Sequence, residues 1–160
     1  MLVIQIRISA NHLIKGHFMI LEKMKNFVKK KNICVLSTIS GDKPYCSLMA
    51  YTTDADCKEV YMVTHKYTTK FNNLQKNPWI SLLIDSRETQ PRSNAQALTV
   101  NGIFVPLLDE GKKQKIRDHI LESFPHMKDF IHDPESEIIR IKIKSLLLLE
   151  GLTQSHFVSL

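Results

Sequence analysis

The sequence predicts a mainly β (α+β) protein: six antiparallel strands curled into a small barrel, with flanking helices. Short runs rich in β-branched and aromatic residues recur along the chain, separated by turn residues. The first three strands are joined by turns too short for the crossovers that a parallel sheet needs. Helical spacing appears before, between and after the strand groups, which suits helices packed on the ends and side of a barrel.

The elements follow in order. Residues 1–17 read as an N-terminal extension or edge strand, because Val3, Ile4, Ile6 and Ile8 mix alternation with polar residues. Residues 18–160 read as the barrel domain. From Phe18 to Lys31 the positions Ile20, Leu21, Met24, Phe27 and Val28 line one helical face, and Lys29, Lys30 and Lys31 complement the negative helix end. Strands are expected over Ile33–Ile39, Pro44–Thr52 and Val60–Thr64, with turns at Ser40-Gly41-Asp42-Lys43 and Asp54-Ala55-Asp56. Tyr67–Asn77 reads as a short helix that Thr68 or Thr69 caps and Asn77-Pro78 stops. Trp79–Asp85 is a fourth strand, Arg87–Asn94 a loop, and Gln96–Val105 a fifth strand with a bulge or bend at Gly102. Asp109 caps a long helix to Phe124 whose apolar face is Ile116, Ile120, Leu121 and Phe124. A short helix or turn over Pro125–His132 leads to the last strand, Glu137–Glu150.

Composition narrows the function classes. The chain has 160 residues, 43% of them hydrophobic and 24% charged, which excludes a wholly disordered protein. With 22 Lys and Arg against 16 Asp and Glu, its charge of +6 points to an anionic partner without choosing one. Cys34, Cys46 and Cys57 contain no C-x-x-C, so neither a disulfide framework nor a zinc site is expected. Cys46 is read as a small buried hydrophobe and Met49 as core. No run reaches membrane-spanning length, so no membrane partner is expected and a cytoplasmic location is the default. His119, His126 and His132 are spaced by seven and six, which does not stack ligands on one helical face, so no metal site is assigned.

The chemistry concentrates where a strand runs through Thr64-His65-Lys66-Tyr67-Thr68-Thr69-Lys70 into a helix. Hydroxyls, an ammonium and the free N–H groups of a helix start are what a phosphate monoester needs. The same residues also suit a plain helix cap with a solvated lysine.

Several segments in order decide between these. They are Ile33-Cys-Val-Leu-Ser-Thr-Ile, Lys43-Pro-Tyr-Cys-Ser-Leu-Met-Ala-Tyr, Val60-Tyr-Met-Val-Thr, Lys70-Phe-Asn-Asn-Leu-Gln-Lys-Asn-Pro and Ile80-Ser-Leu-Leu-Ile. Together they resemble the pyridoxamine 5′-phosphate oxidase-like family of FMN-binding split β-barrels over roughly residues 20–150. The resemblance implies a homodimer holding FMN at the subunit interface. It implies phosphate contacts at Thr64 and Lys70, with His65, Thr68 and Thr69 beside them. Where the family often has Arg-Lys this chain has Thr69-Lys70, with Lys66 a candidate to compensate. The flavin-lining strand falls on Ser47, Leu48, Met49 and Ala50, and a flavin-contacting Gln on Gln96. Ser47 stands where the oxidase branch has Arg, and the segment after Glu150 lacks the Arg and Trp of that branch's substrate segment. The implied function is an FMN-dependent oxidoreductase on an unassigned small molecule, distinct from the dedicated vitamin B6 oxidase; no acid or base is assigned. Two alternatives stand beside it. One is a non-catalytic flavin or haem carrier or sensor on the same barrel, with His65 or His156 toward iron. The other is a basic nucleic-acid-binding module built on Lys29–Lys31 and Lys112-Lys113; it is not favoured, because no aromatic-plus-basic strand face accompanies the charge.

Overall fold

The computed structural model describes residues 2–87, 90, 94–151 and 153–160, with the backbone alone described for 2–14. The chain forms helix α1 (Leu2–Lys30) and strands β1 (Ile33–Ser40), β2 (Lys43–Ala50), β3 (Thr52–Thr53) and β4 (Glu59–His65). Helix α2 (Thr69–Lys76), strands β5 (Trp79–Asp85) and β6 (Gln96–Phe104) and helix α3 (Glu110–Ser123) follow. A 3₁₀ turn at Pro125–Met127, helix α4 (Lys128–His132) and strands β7 (Ser136–Glu150) and β8 (Gln154–Ser159) complete it. Most of the loop expected over 87–94 lies outside the described residues.

All strands pair antiparallel in one curled sheet of order β2-β1-β5-β6-β7-β4-β3, with β8 beside β7. This is the expected mainly β split barrel, with eight strands among the described residues rather than six. The pair β3, cut from the second strand at Tyr51, and the terminal β8 are the additions. Of the two readings given for residues 1–17, an extension or an edge strand, the second is corrected: the backbone of residues 2–17 is part of α1. Val3, Ile6 and the neighbouring apolar residues fit helical spacing as well as alternation, and the helix already nucleated downstream extends at little cost.

The core lies inside the curl. Leu36, Met62, Leu82, Ile84, Leu98, Val100, Ile139, Ile141, Leu146 and Leu148 fill it, and α1 closes one opening with Met24 and Val28. Tyr51 pins that helix by donating its hydroxyl to Val28 O at 2.7 Å. A second cluster packs α3 and α4 on the outer face of β4 and β7 through Tyr61, Val63, Ile116, Ile120, Phe124, Ile131 and Ile138. Asp109 caps α3 as expected, accepting from Lys112 N at 2.9 Å. The Asp54 carboxylate is consumed by its own turn, accepting from Lys58 N and Glu59 N at 2.8 and 2.7 Å.

β7 is the spine. One edge pairs with β6; the other pairs with β4 over its first half and β8 over its second. Its register against β6 shifts by one residue between Asn101 and Gly102, the bulge read from the sequence. The insertion reverses the alternation, so Ile141 and Ile143 before it and Leu146 and Leu148 after it all face the core. A Cβ on Gly102 would lie 2.6 Å from Ile141 Cγ2 and 2.7 Å from Lys142 O. Because the second atom is backbone, Gly102→Ala must move the strand. The expected loss is about 2 kcal/mol, read as a lowered urea midpoint.

Candidate functional site

β4 delivers Thr64 to the barrel end, where it is 2% exposed. Its hydroxyl lies 3.1 Å from Thr68 Oγ1, and Thr68 Oγ1 donates to His65 O at 2.9 Å. Each hydroxyl has one proton, so Thr64 donates to Thr68 and Thr68 to the carbonyl. This corrects the expected cap. Thr68 occupies the cap position of α2, but its hydroxyl is turned back into the loop and makes no cap bond. Asn72 N–H closes the first turn on Thr68 O at 3.1 Å. The N–H groups at the helix start thus have no side-chain partner among the described residues, at the positive end of the helix dipole.

Thr69 opens the helix on the exposed side, and Lys70 follows, half-buried. Among the described residues the Lys70 ammonium has no hydrogen bond and no ion pair. Burial pushes its pKa down from the usual lysine value. A partly desolvated cation beside uncapped N–H groups is stabilised by an incoming anion, which restores the lost solvation.

The flavin-strand candidates sit on β2, the terminal strand of the sheet order, so one backbone edge is unpaired among the described residues. Met49 is buried, Ser47 and Ala50 are half-buried, and Leu48 is 75% exposed. Two residues to which the sequence assigned no role of their own join this strand to α2. Buried Asn73 donates to Thr38 Oγ1 at 3.0 Å, and Thr38 donates to Tyr45 O at 3.4 Å. A polar residue on the apolar side of α2, beside Leu74, was the available signal.

The other candidates lie elsewhere. The His65 ring stacks on Tyr67 at 5.1 Å and packs against Phe130 at 4.5 Å. Its Nδ1 is 2.9 Å from Tyr67 Oη, and its Nε2 faces Asp133 Oδ2 at 3.7 Å. Lys66 also turns away, donating its ammonium to Pro134 O at 2.9 Å. Gln96 opens β6, opposite the far end of β5 from α2. Seven strand residues, about 20 Å, separate the two ends. There its amide donates to Glu150 Oε1 at 2.7 Å, where Lys23 also binds; His156 Nε2 lies 3.4 Å from Glu150 Oε2. Cys46 is exposed, correcting its reading as buried, with Sγ 3.4 Å from Ser37 Oγ. Cys34 and Cys57 are the buried thiols; desolvation pushes them up to about 12 and about 11, which makes them inert.

The outer face of the sheet carries a row in direct register across six strands, Leu48, Val35, Leu83, Thr99, Leu147 and Phe157, apolar at every position but Thr99. Leu48 and Phe157 are 75% and 61% exposed, and Trp79 stands on the same face.

Comparison with known proteins places the chain. The family profile described as pyridoxamine 5′-phosphate oxidase matches residues 20–149, so the chain belongs to that family. No curated protein matches at a significant level. Solved structures share the fold at low identity. An FAD-binding protein from Mesorhizobium loti is 17% identical over 81% of this chain and 94% of its own, with a TM-score of 0.67. A NimC/NimA family protein from Clostridium acetobutylicum is 16% identical over 87% and 91%, TM-score 0.65. A haem-binding protein from Mycobacterium smegmatis is 15% identical over 85% of this chain and 57% of its own, TM-score 0.72.

Two measurements check this geometry. Asn73→Ala removes the bond that Thr38 Oγ1 accepts and unties α2 from β1; a cost of about 1 kcal/mol is expected in thermal unfolding. The Lys23 hydrogen bond, aided by Gln96 against opposing desolvation, holds the Glu150 carboxyl below its usual range. Its folded pKa is depressed, so its contribution is present above the unfolded value of about 4.3 and is lost as pH falls through the folded value. Glu150→Gln is expected to lower stability at neutral pH and to flatten the acid limb of the Tm–pH curve.

Proposed function

We propose that this member of the pyridoxamine 5′-phosphate oxidase family is a flavoprotein that holds FMN between the start of α2 and the edge of β2, and acts as an oxidoreductase on a small molecule. The observation that supports it most is the start of α2: an uncapped helix end next to a half-buried lysine with no partner among the described residues. The phosphate would lie against those N–H groups and Lys70, with the hydroxyls of Thr64, Thr68 and Thr69 around it. The edge of β2 offers backbone donors and acceptors to the polar rim of the ring, and Leu48 and Met49 offer an apolar surface. The flavin, when bound, supplies the redox chemistry, while the residues named here bind and orient it.

The apolar row on the sheet supports a homodimer, in which a second copy covers Leu48, Leu83 and Phe157 and completes the cofactor site. Gln96, remote from α2 in its own chain, is then a candidate to serve the second copy's site. A substrate other than pyridoxamine 5′-phosphate is supported by β8, which carries His156 and Phe157 but neither Arg nor Trp. The haem reading has less support. The His65 ring is held between two aromatic rings, and His156 faces a carboxylate.

The test is the absorption spectrum of the desalted protein before and after FMN is added. Bands near ~370 and ~450 nm that follow the protein are the expected result, as the flavin dictates the spectrum. Lys70→Ala is expected to loosen FMN at least tenfold, because it removes a charge-assisted contact of about 1.5–3 kcal/mol. A Soret band would replace this proposal with haem, and a colourless protein indifferent to FMN would end it.

A further inference from the structure

Cationic charge also gathers at a second place, at β4, β7 and β8, several strands away from β2 in the sheet. A groove of about 480 Å³ opens between α1, the start of β4, the middle of β7 and the end of β8. Lys25, Lys58, Lys142 and Lys144 line it, and Ile143 and Leu160 supply its hydrocarbon surface. The position of Lys144 is set by the β7 bulge. Asn101 pairs with Ser145 and Gly102 with Ile143, so Lys144 is the inserted residue and stays on the outer side with Lys142. Backbone bonds hold the rim on both sides. Ile143 N–H donates to Lys58 O, and Leu160 N–H to Lys144 O, each at 2.9 Å.

The charge here is poorly compensated. Lys25 meets Glu22 at 3.4 Å and Lys58 meets Asp56 at 3.5 Å; the second pair is largely exposed. Such pairs contribute little in water. Lys142 and Lys144 have no ion pair or side-chain hydrogen bond among the described residues. The carboxylate in the lining, Glu59, already accepts from Tyr61 Oη at 2.5 Å and from Lys112 Nζ at 3.3 Å. Arg140, paired across the strands with Tyr61, leaves a buried Nε without a partner.

We propose that this groove is a second anion-binding site, separate from the α2 loop, and that it takes a small amphiphilic phosphate or diphosphate ester. Lysine ammonium groups are point charges without the planar fork of arginine, so they suit a compact, multiply charged head. Ile143, Leu160 and the lysine stems give a hydrocarbon wall for an apolar body. The volume falls in the range of small-ligand sites. No aromatic side chain lines the groove, which disfavours stacking of single-stranded nucleic acid.

The experiment is a two-dimensional amide NMR titration of the full chain with monododecyl phosphate, inorganic phosphate and dodecanol in parallel. Amide shifts are expected to centre on Lys58, Ile143, Lys144 and Leu160. Dodecyl phosphate is expected to bind at least tenfold more tightly than either inorganic phosphate or dodecanol. The double variant Lys142→Ser/Lys144→Ser is expected to lose at least tenfold in that affinity. The charge-matched control Lys30→Ser/Lys31→Ser is expected to lose less than twofold. Shifts centred on Thr69 and Lys70, shifts spread evenly over all lysines, equal affinity in the two variants, or tighter binding of an RNA oligomer at the same residues would each overturn the proposal. An FMN titration of the same samples reports on the α2 loop separately, so either site can fail alone.

Discussion

One strand must present the same hydrophobic side to the core on both sides of an extra residue, and the fold is arranged around that requirement. β7 pairs with β6 along one edge and with β4 and then β8 along the other. Side chains in a regular strand alternate with a strict period of two. If Ile141 and Ile143 face inward, Leu146 and Leu148 would face outward. The bulge removes the conflict, and Gly102 is the neighbour that lets the chains approach there, with 2.7 Å left between a notional Cβ and Lys142 O. The same insertion keeps both Lys142 and Lys144 on the outer side. A packing constraint in the core thereby decides which charges meet at the surface.

The sequence legibly marked elements whose local chemistry agrees with their tertiary role. Trp79–Asp85 alternates cleanly because one face is buried, and its boundaries match the strand found. Gly102 stood out because glycine within a strand pattern needs a reason. Asp109 was readable because a carboxylate at a helix start has one common use. β8 was not legible: Gln154–Ser159 holds only Phe157 and Val158 as large apolar residues, and it is a strand because the second half of β7 leaves an edge open to it. Cys46 shows the complementary failure. Its type suggests burial, but its place on the outward side of an edge strand leaves it exposed.

The candidate site divides in the same way. Thr64, Thr68, Thr69 and Lys70 are close in sequence, so a strand-loop-helix reading brings them together without tertiary information. The direction of the Thr68 hydroxyl was not available from spacing. A threonine before a helix can cap it or bond backward, and here the buried Thr64 hydroxyl needs an acceptor, which draws Thr68 inward. That local competition is what leaves the helix start uncapped. Asn73 and Thr38 are 35 positions apart, and their bond depends on α2 lying against β1, which no local pattern encodes.

The pair Thr69-Lys70, where the resemblance implies Arg-Lys, takes on physical meaning at this point. A second cation at position 69 would lie on the exposed first turn of α2, where water screens it. Lys70 is half-buried and pays a desolvation penalty that an anion relieves. Of the two positions, the one this chain retains is the one where a charge counts most. The hydroxyl at 69 keeps a neutral donor on the exposed side, and the uncapped N–H groups supply the rest of the positive potential. An anion bound at this loop, as proposed, would be held by backbone geometry as well as by Lys70, and that geometry is kept by the buried bonds of Thr64 to Thr68 and of Asn73 to Thr38.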